Sequence, residues 1–536
     1  MSNDAQLEAI KTGYSFEGST IDLGVALSGG VPQPEVSVCL PLSMMNRHGL
    51  IAGATGTGKT KTLQVLAEQL SASGVPVFLA DVKGDLSGLA APGEVNEKLS
   101  ARTAVLGQDW QPAGFPAEFF TLGGEGSGVP IRATIESFGP ILLSRVLGLN
   151  STQESALQLI FHYADQKELE LFNLADLRAV IQFLTSAEGK AELEGFGGVS
   201  KATAGVILRG LVTLEADGMD QFFGEPEFDT AEFLRVAEDG RGIISILELA
   251  NLQSKPQLFS TFLMWLLADL FEDLPEVGDA EKPKLVFFLD EAHLLFNGSS
   301  KAFKEAITQT VRLIRSKGVG LFFITQTPKD VPAEVLGQLA NRIQHALRAF
   351  TPDDQKALVA TAKTFPKSAY DLEEVLTTAG TGEAIVTVMT ETGAPSPVAL
   401  TRMYAPQSLM GPAPEKLAAV VAASPLKARY GTVVDSESAF EKLTHKTVQN
   451  QNDAATAEQT QTAEREAKEA EKQAAAEAKA AEKRAKEEER ERQKRNDAMM
   501  RVGTNVASTI GREIVRSLFG TKRSSRSGKG GWGGLF

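Results

Sequence analysis

Three short stretches hold the residue types that do chemistry on phosphate. Residues 53–60 read GATGTGKT, a Gly-x4-Gly-Lys-Thr pattern that follows an apolar strand-like stretch and opens a helix-like one. In that setting the backbone N–H groups of Gly53, Ala54, Thr55, Gly56, Thr57 and Gly58 curl around phosphate oxygens at a helix N-terminus. Lys59 is expected to reach the β/γ-phosphates, and the Thr60 hydroxyl to ligate Mg²⁺. The bland alternative is a Gly-rich turn without a ligand. The second stretch, KLVFFLDEAH, is a buried-strand pattern ending in two acids. Asp290 is placed to hold the metal and Glu291 to orient and deprotonate an attacking water, a pairing that suits ATP hydrolysis rather than simple phosphate binding. The alternative is a pair of acids that merely caps the next helix. Gln326, at the end of GLFFITQT, lies one helix and one strand further on and is expected to sense the γ-phosphate; the alternative is a plain strand-end Gln that satisfies a loop backbone. DEAH also spells a helicase motif, but the glutamine-and-double-arginine motif of those enzymes is missing.

The elements that must position these residues alternate as strand, Gly-rich loop, helix (KTLQVLAEQLSASG) and strand (VPVFLADVKGD). That order predicts an α/β fold with a parallel sheet. It resumes after residue 236 with GIISILEL, the helix KPQLFSTFLMWLLADLFEDL, the acid-bearing strand, a helix through FKEAITQTVRLIRSKG, the glutamine strand and a final candidate, EAIVTVM. The expected organisation is a short β-rich segment over 1–45, the ATPase core over 46–136 and 237–415, and a helical insertion at 137–236. A linker over 416–462, a charged polar helix over 463–498, and an amphipathic helix with a basic Gly/Ser tail over 499–536 complete it. From Glu464 to Asp497 acids and bases are equal in number and alanine is the only aliphatic residue. Pairs such as Glu464–Lys468, Glu482–Lys486, Glu488–Arg492 and Glu491–Arg495 support a solvated helix by a few tenths of a kcal/mol each, about 0.2–0.5. The tail beyond 510 carries basic residues at 512, 516, 522, 523, 526 and 529 against Glu513 alone.

Composition bounds the rest. The chain has 536 residues, 43% of them hydrophobic, and a formal net charge of −14. Its length calls for about two to four structural units, and its charge excludes a surface that coats nucleic acid indiscriminately. Any DNA contact must be local, and Lys301 and Lys304 in NGSSKAFK are candidates, read alternatively as a solvated helix start. Cys39 is the single cysteine, which excludes an intrachain disulfide framework and a Cys-cluster zinc site. With no signal-peptide core at the N-terminus and no integral membrane segment, a cytoplasmic protein is expected.

GATGTGKT, the long helical spacer, FFLDEAH, RLIRSKGVGLFFITQTPKDVP and LANRIQHAL together resemble the HerA/FtsK superfamily of hexameric ATPases, over roughly 45–410. Within it the chain looks like the YjgR-like branch with a HerA-like C-terminal ATPase domain. The resemblance implies a RecA-like P-loop NTPase of the additional-strand type with a catalytic glutamate. It further implies ATP and Mg²⁺ as cofactors, translocation or remodelling of double-stranded DNA by a hexameric homo-oligomer, and for HerA a nuclease partner in DNA end processing. DVKGD, with Asp81, Lys83 and Asp85, matches the acidic, Gly-containing turn after the second strand in that superfamily. HerA-like proteins carry a β-barrel of fair size before the P-loop, whereas about 45 residues stand there in this sequence. Arg315 in RLIRSKG matches the position of a basic finger donated to a neighbouring subunit, with Arg312, Arg342 and Arg348 as substitutes. A hexameric ATPase that acts on protein, or scaffolds a complex, is the second reading.

Overall fold

The computed structural model of the chain describes residues 3–122, 124, 126–193, 197–249, 256–278, 280–296 and 301–502. Residues 1–446 form one compact unit and 447–536 a second.

In the first unit twelve strands build one sheet: β1 (Thr20–Ser28), β2 (Val31–Pro41), β3 (Gly49–Ala52), β4 (Val77–Asp81), β5 (Ala117–Thr121), β6 (Val129–Pro130), β7 (Ile244–Glu248), β8 (Leu285–Leu289), β9 (Val319–Thr325), β10 (Asn341–His345), β11 (Glu383–Thr387) and β12 (Ala399–Met403). Their spatial order is β2-β1-β12-β11-β10-β3-β9-β8-β4-β7-β5-β6. From β10 to β6 every neighbouring pair is parallel, and from β10 to β2 every pair is antiparallel. β3, β4, β8 and β9 are buried at every position, because helices cover a parallel sheet on both faces and leave no polar side to alternate with. Successive residues serve opposite faces. Ile51 and Leu79 pack with Leu63 and Leu66 of the helix Lys59–Ala72. Leu50, Phe78 and Ala80 pack with Phe262 and Trp265 of the helix Pro256–Asp273 on the other side.

The short segment before the P-loop is not a separate body. β1 and β2 extend the core sheet, with β1 held through β12 in the register Gly24↔Met403. EAIVTVM supplies β11, and β12 follows it, so the expected last strand is the penultimate one.

The stretch expected to be helical contains the helices Ile135–Val146, Ser151–Gln166, Leu174–Thr185, Ala187–Glu192 and Lys201–Ala216. Asn150 with Gln153, and Asn173 with Asp176, form capping boxes that satisfy N–H groups at two of their starts. Residues 416–446 differ from an open linker. The helices Pro414–Ala423 and Pro425–Tyr430 occupy much of it, and Tyr430 packs its ring 4.8 Å from that of Phe228. The charged helix begins at Ala439 rather than at 463 and runs to Val502. Its first turns are docked: the Ser438 hydroxyl and the Phe440 N–H donate to Asp176, and Lys446 pairs with Glu192 at 2.9 Å.

In the second unit the helix is exposed wherever its side chains are described. Its support is internal, as in the Lys486–Glu482 pair at 2.6 Å. The basic tail and all but the start of the expected amphipathic helix lie outside the described residues. No described helix is long and apolar enough to cross a membrane.

Candidate functional site

The P-loop leaves the sheet between β9 and β10. Gly53 N–H donates to the Thr325 carbonyl at 3.2 Å and Ala54 N–H to the Ala346 carbonyl at 2.8 Å, which fixes the exit of the loop from β3. Gly53 has φ +153, and a Cβ there would stand 2.5 Å from the Cβ of His345, so only glycine lets the strands close behind the loop. Gly58 caps the helix Lys59–Ala72 in a left-handed conformation. The far side of the loop is tied by Gly382 N–H donating to the Thr57 carbonyl at 2.9 Å.

His345 is the internal brace. Its Nδ1 lies 2.9 Å from the Glu383 carbonyl and its Nε2 3.0 Å from the Thr62 hydroxyl. A carbonyl can only accept, so Nδ1 carries the proton and Nε2 accepts from Thr62. Burial, with Lys59 adding to it, pushes the ring down to about 4 and keeps it neutral.

Lys59 is buried and donates to the carbonyls of Gly53, at 2.6 Å, and Ala54, at 3.2 Å. Burial lowers its pKa and Lys83 lowers it further, against the pull of Glu291 and Asp290. Those two acids stand where β8 ends. Asp290 accepts the Glu291 N–H at 2.9 Å, and burial raises its carboxyl, opposed by Lys83. Glu291 takes φ +48, an uncommon conformation for a side chain of this size that turns it out of line with the strand. Burial acts to raise its carboxyl, but the bond and charge of Lys83, with His293 and Lys59 adding to them, together hold it below the usual range.

The turn after β4 completes the charge cluster. Asp81 accepts the N–H groups of Lys83, Gly84 and Asp85 on Oδ1 and of Leu86 on Oδ2. The turn it shapes sends the Lys83 ammonium to 2.8 Å from Glu291 Oε1 and 3.7 Å from Asp290 Oδ2.

Gln326 sits exposed at the end of β9 on a cleft of about 410 Å³ that Ala54, Thr55, Lys329, Arg348 and Phe350 also line. The structure thus gathers Lys59, Lys83, Asp290 and Glu291 in one electrostatic cluster and puts Gln326 beside the P-loop. Arg315 is elsewhere. It starts the turn Arg315–Lys317 that precedes β9, so the whole strand, about 20–25 Å at 3.3 Å per residue, separates it from Gln326. Of its substitutes, Arg312 lies in the last turn of the helix Lys301–Ile314, Arg342 is partly buried with Nε donating to Leu339, and Arg348 lines the cleft of its own P-loop. The sequence reading missed His345 as the brace behind the loop, and Lys329 and Phe350 as lining of the cleft, and it placed Lys83 only through the DVKGD turn. A lone histidine at the end of a strand next to the P-loop strand was the available signal for the first.

The helicase HerA-like C-terminal family model matches residues 28–527. The DNA double-strand break repair helicase HerA of Saccharolobus solfataricus is 22% identical over 388 residues, covering 72% of this chain and 69% of that protein. Its counterpart from Sulfurisphaera tokodaii is 24% identical over 380 residues, covering 69% and 67%. Among solved structures, the bacterial conjugative coupling protein TrwB superposes with a TM-score of 0.48 at 14% identity, over 76% of this chain and 94% of that one.

Proposed function

Because the chain belongs to the helicase HerA-like C-terminal family of P-loop ATPases, we propose that it is a motor that hydrolyses ATP to translocate or remodel double-stranded DNA as a hexameric ring. What carries this reading is the convergence of the P-loop, the Asp290–Glu291 pair and Gln326 at the C-terminal ends of adjacent parallel strands, where α/β sheets bind ligands. Its cofactors are ATP and Mg²⁺. Asp290 offers one buried carboxylate and Thr60 one hydroxyl, a sparse set that suits a cation retaining waters and phosphate oxygens. Among the described residues no group of three His, Cys, Asp or Glu forms an all-protein metal cage. When bound there, Mg²⁺ neutralises charge on the phosphates.

The chain's own residues divide the work. The N-terminus of Lys59–Ala72 and the Lys59 ammonium bind the phosphates in the ground state. Glu291 takes the proton of the water that attacks the γ-phosphorus, and the bond to the β-phosphate oxygen breaks. Gln326 contacts the γ-phosphate from the end of β9 and reports its loss. Arg315, too far from its own P-loop, is supplied to the neighbouring subunit's site. A nuclease partner belongs to this reading on the resemblance alone.

The test is ATP turnover with and without linear duplex DNA. Stimulation by the duplex and slow hydrolysis with retained ATP in Glu291→Gln are expected. Turnover indifferent to DNA would favour a hexamer acting on protein, and undiminished turnover in Glu291→Gln would remove it as the base.

A further inference from the structure

Glu291 presents its two oxygens to different surroundings. Oε1 is 2.8 Å from the Lys83 ammonium, whereas Oε2 is buried without a hydrogen-bond partner, with His293 Nδ1 3.3 Å away. A buried carboxylate oxygen left without a donor is costly to the fold and calls for an explanation. A water, or His293 Nδ1 when it carries a proton, would satisfy it.

We propose that Lys83 is a positioning residue for the proposed base: by holding Oε1 it fixes the carboxylate so that Oε2 alone accepts the attacking water. The inference rests on Glu291 acting as that base. A free glutamate side chain rotates about three torsions and offers two equivalent oxygens, so orientation has to be imposed from outside. Lys83 is suited to impose it because its own backbone is pinned. Its N–H donates to Asp81 Oδ1, the same oxygen that accepts from Gly84 at 2.7 Å and Asp85 at 3.3 Å, so the ammonium projects from a rigid turn. On the other side, Glu291 is locked at φ +48 with its N–H on Asp290. Two rigid backbones therefore meet through the Lys83 ammonium, which also stands 3.7 Å from Asp290. The Lys83 side chain is 38% exposed, and a pair with one partner so open contributes little to folding. Its contribution is to geometry.

Four variants decide the matter, assayed as full chains beside the wild type: Lys83→Met, Lys83→Arg, Glu291→Gln and Lys83→Met combined with Glu291→Gln. Lys83→Met is expected to lower kcat about 10- to 100-fold, the usual cost of a misplaced reacting group, while KM for ATP and affinity for a fluorescent ATP analogue stay within about twofold. Lys83→Arg, which can still donate to Oε1, recovers a large part of the loss. In the Glu291→Gln background, adding Lys83→Met costs less than about twofold, since a residue acting through Glu291 has nothing left to position. An unchanged or raised kcat in Lys83→Met, loss of analogue binding, or a full additional loss in the double variant each overturns the proposal. Failure of the underlying reading looks different: Glu291→Gln itself would then turn over like the wild type.

Discussion

Replacing Asp81 with asparagine tests whether the turn carrying Lys83 is held by one carboxylate. Asp81 is 2% exposed and accepts four backbone N–H groups, the best of them from Gly84 at 2.7 Å and Leu86 at 3.0 Å. Asparagine keeps one acceptor oxygen and turns an NH₂ group toward the other side of the turn. Either the Leu86 or the Gly84 N–H then loses its partner. A hydrogen bond to a charged group contributes about 1.5–3 kcal/mol, so amide exchange in 83–86 should accelerate about 10- to 150-fold through local opening. Hydrogen exchange resolved to these residues measures it directly.

The pH dependence adds a signed check. Burial raises the Asp81 carboxyl from its ordinary 3.8 to about 6, against the four N–H bonds that favour the charge. A raised acid stabilises the fold fully below its unfolded pKa and loses that contribution as pH rises through its folded value. Between about pH 5 and pH 7 the wild type should therefore lose about 1.3 kcal/mol relative to the asparagine variant, which has no proton to release there. Urea unfolding at the two pH values compares them. Unchanged exchange at Gly84 and Leu86, or parallel stability losses in both proteins, would refute the account.

Gly53→Ala places a methyl 2.5 Å from the His345 Cβ and 3.0 Å from the Thr57 hydroxyl; ATP affinity by fluorescence titration should fall at least about tenfold, the loss expected when a phosphate loop is forced off its strand. Arg315→Ala and Lys59→Ala subunits, each inactive alone, should recover partial ATP turnover when mixed, and no recovery at any ratio argues against a donated finger. A chain ended after Lys446 retains the whole first unit and should melt within about 2 °C of the parent with basal ATPase intact. A peptide covering 447–497 should lose helical circular dichroism as NaCl rises, because its support is i,i+4 ion pairs such as Lys486–Glu482.

Much of the site was legible because phosphate chemistry is written in local spacing. GATGTGKT and FFLDEAH each need only a strand end and the turn after it, so their placement follows from contiguous residues. Lys83 and Glu291 are another matter. They come from strands β4 and β8, more than 200 residues apart, and their meeting depends on those strands being neighbours. Nothing in the periodicity of either segment records that adjacency. The same holds for the short β-rich segment, whose strand β1 pairs with β12, more than 370 residues further on. The start of the long helix was misplaced for a different reason. Composition turns uniformly charged only after 463, whereas helix formation begins where Ala439, Leu443 and Lys446 pack on the insertion. Packing, not charge, sets that boundary.

The strand order has a consequence for synthesis on the ribosome. The P-loop strand β3 is translated early, yet its two neighbours are β9 and β10, beginning at Val319 and Asn341. At about 5–20 residues per second, roughly 15–60 s elapse before either emerges, and Gly53 and Ala54 have no carbonyls to bond until they do. The leading hairpin waits longer still, for β12 at Ala399–Met403. A nascent chain therefore carries an unclosed phosphate loop and open strand edges until those later strands emerge. Nucleotide cannot serve as its early folding template, because the site it would bind is assembled from segments more than 200 residues apart.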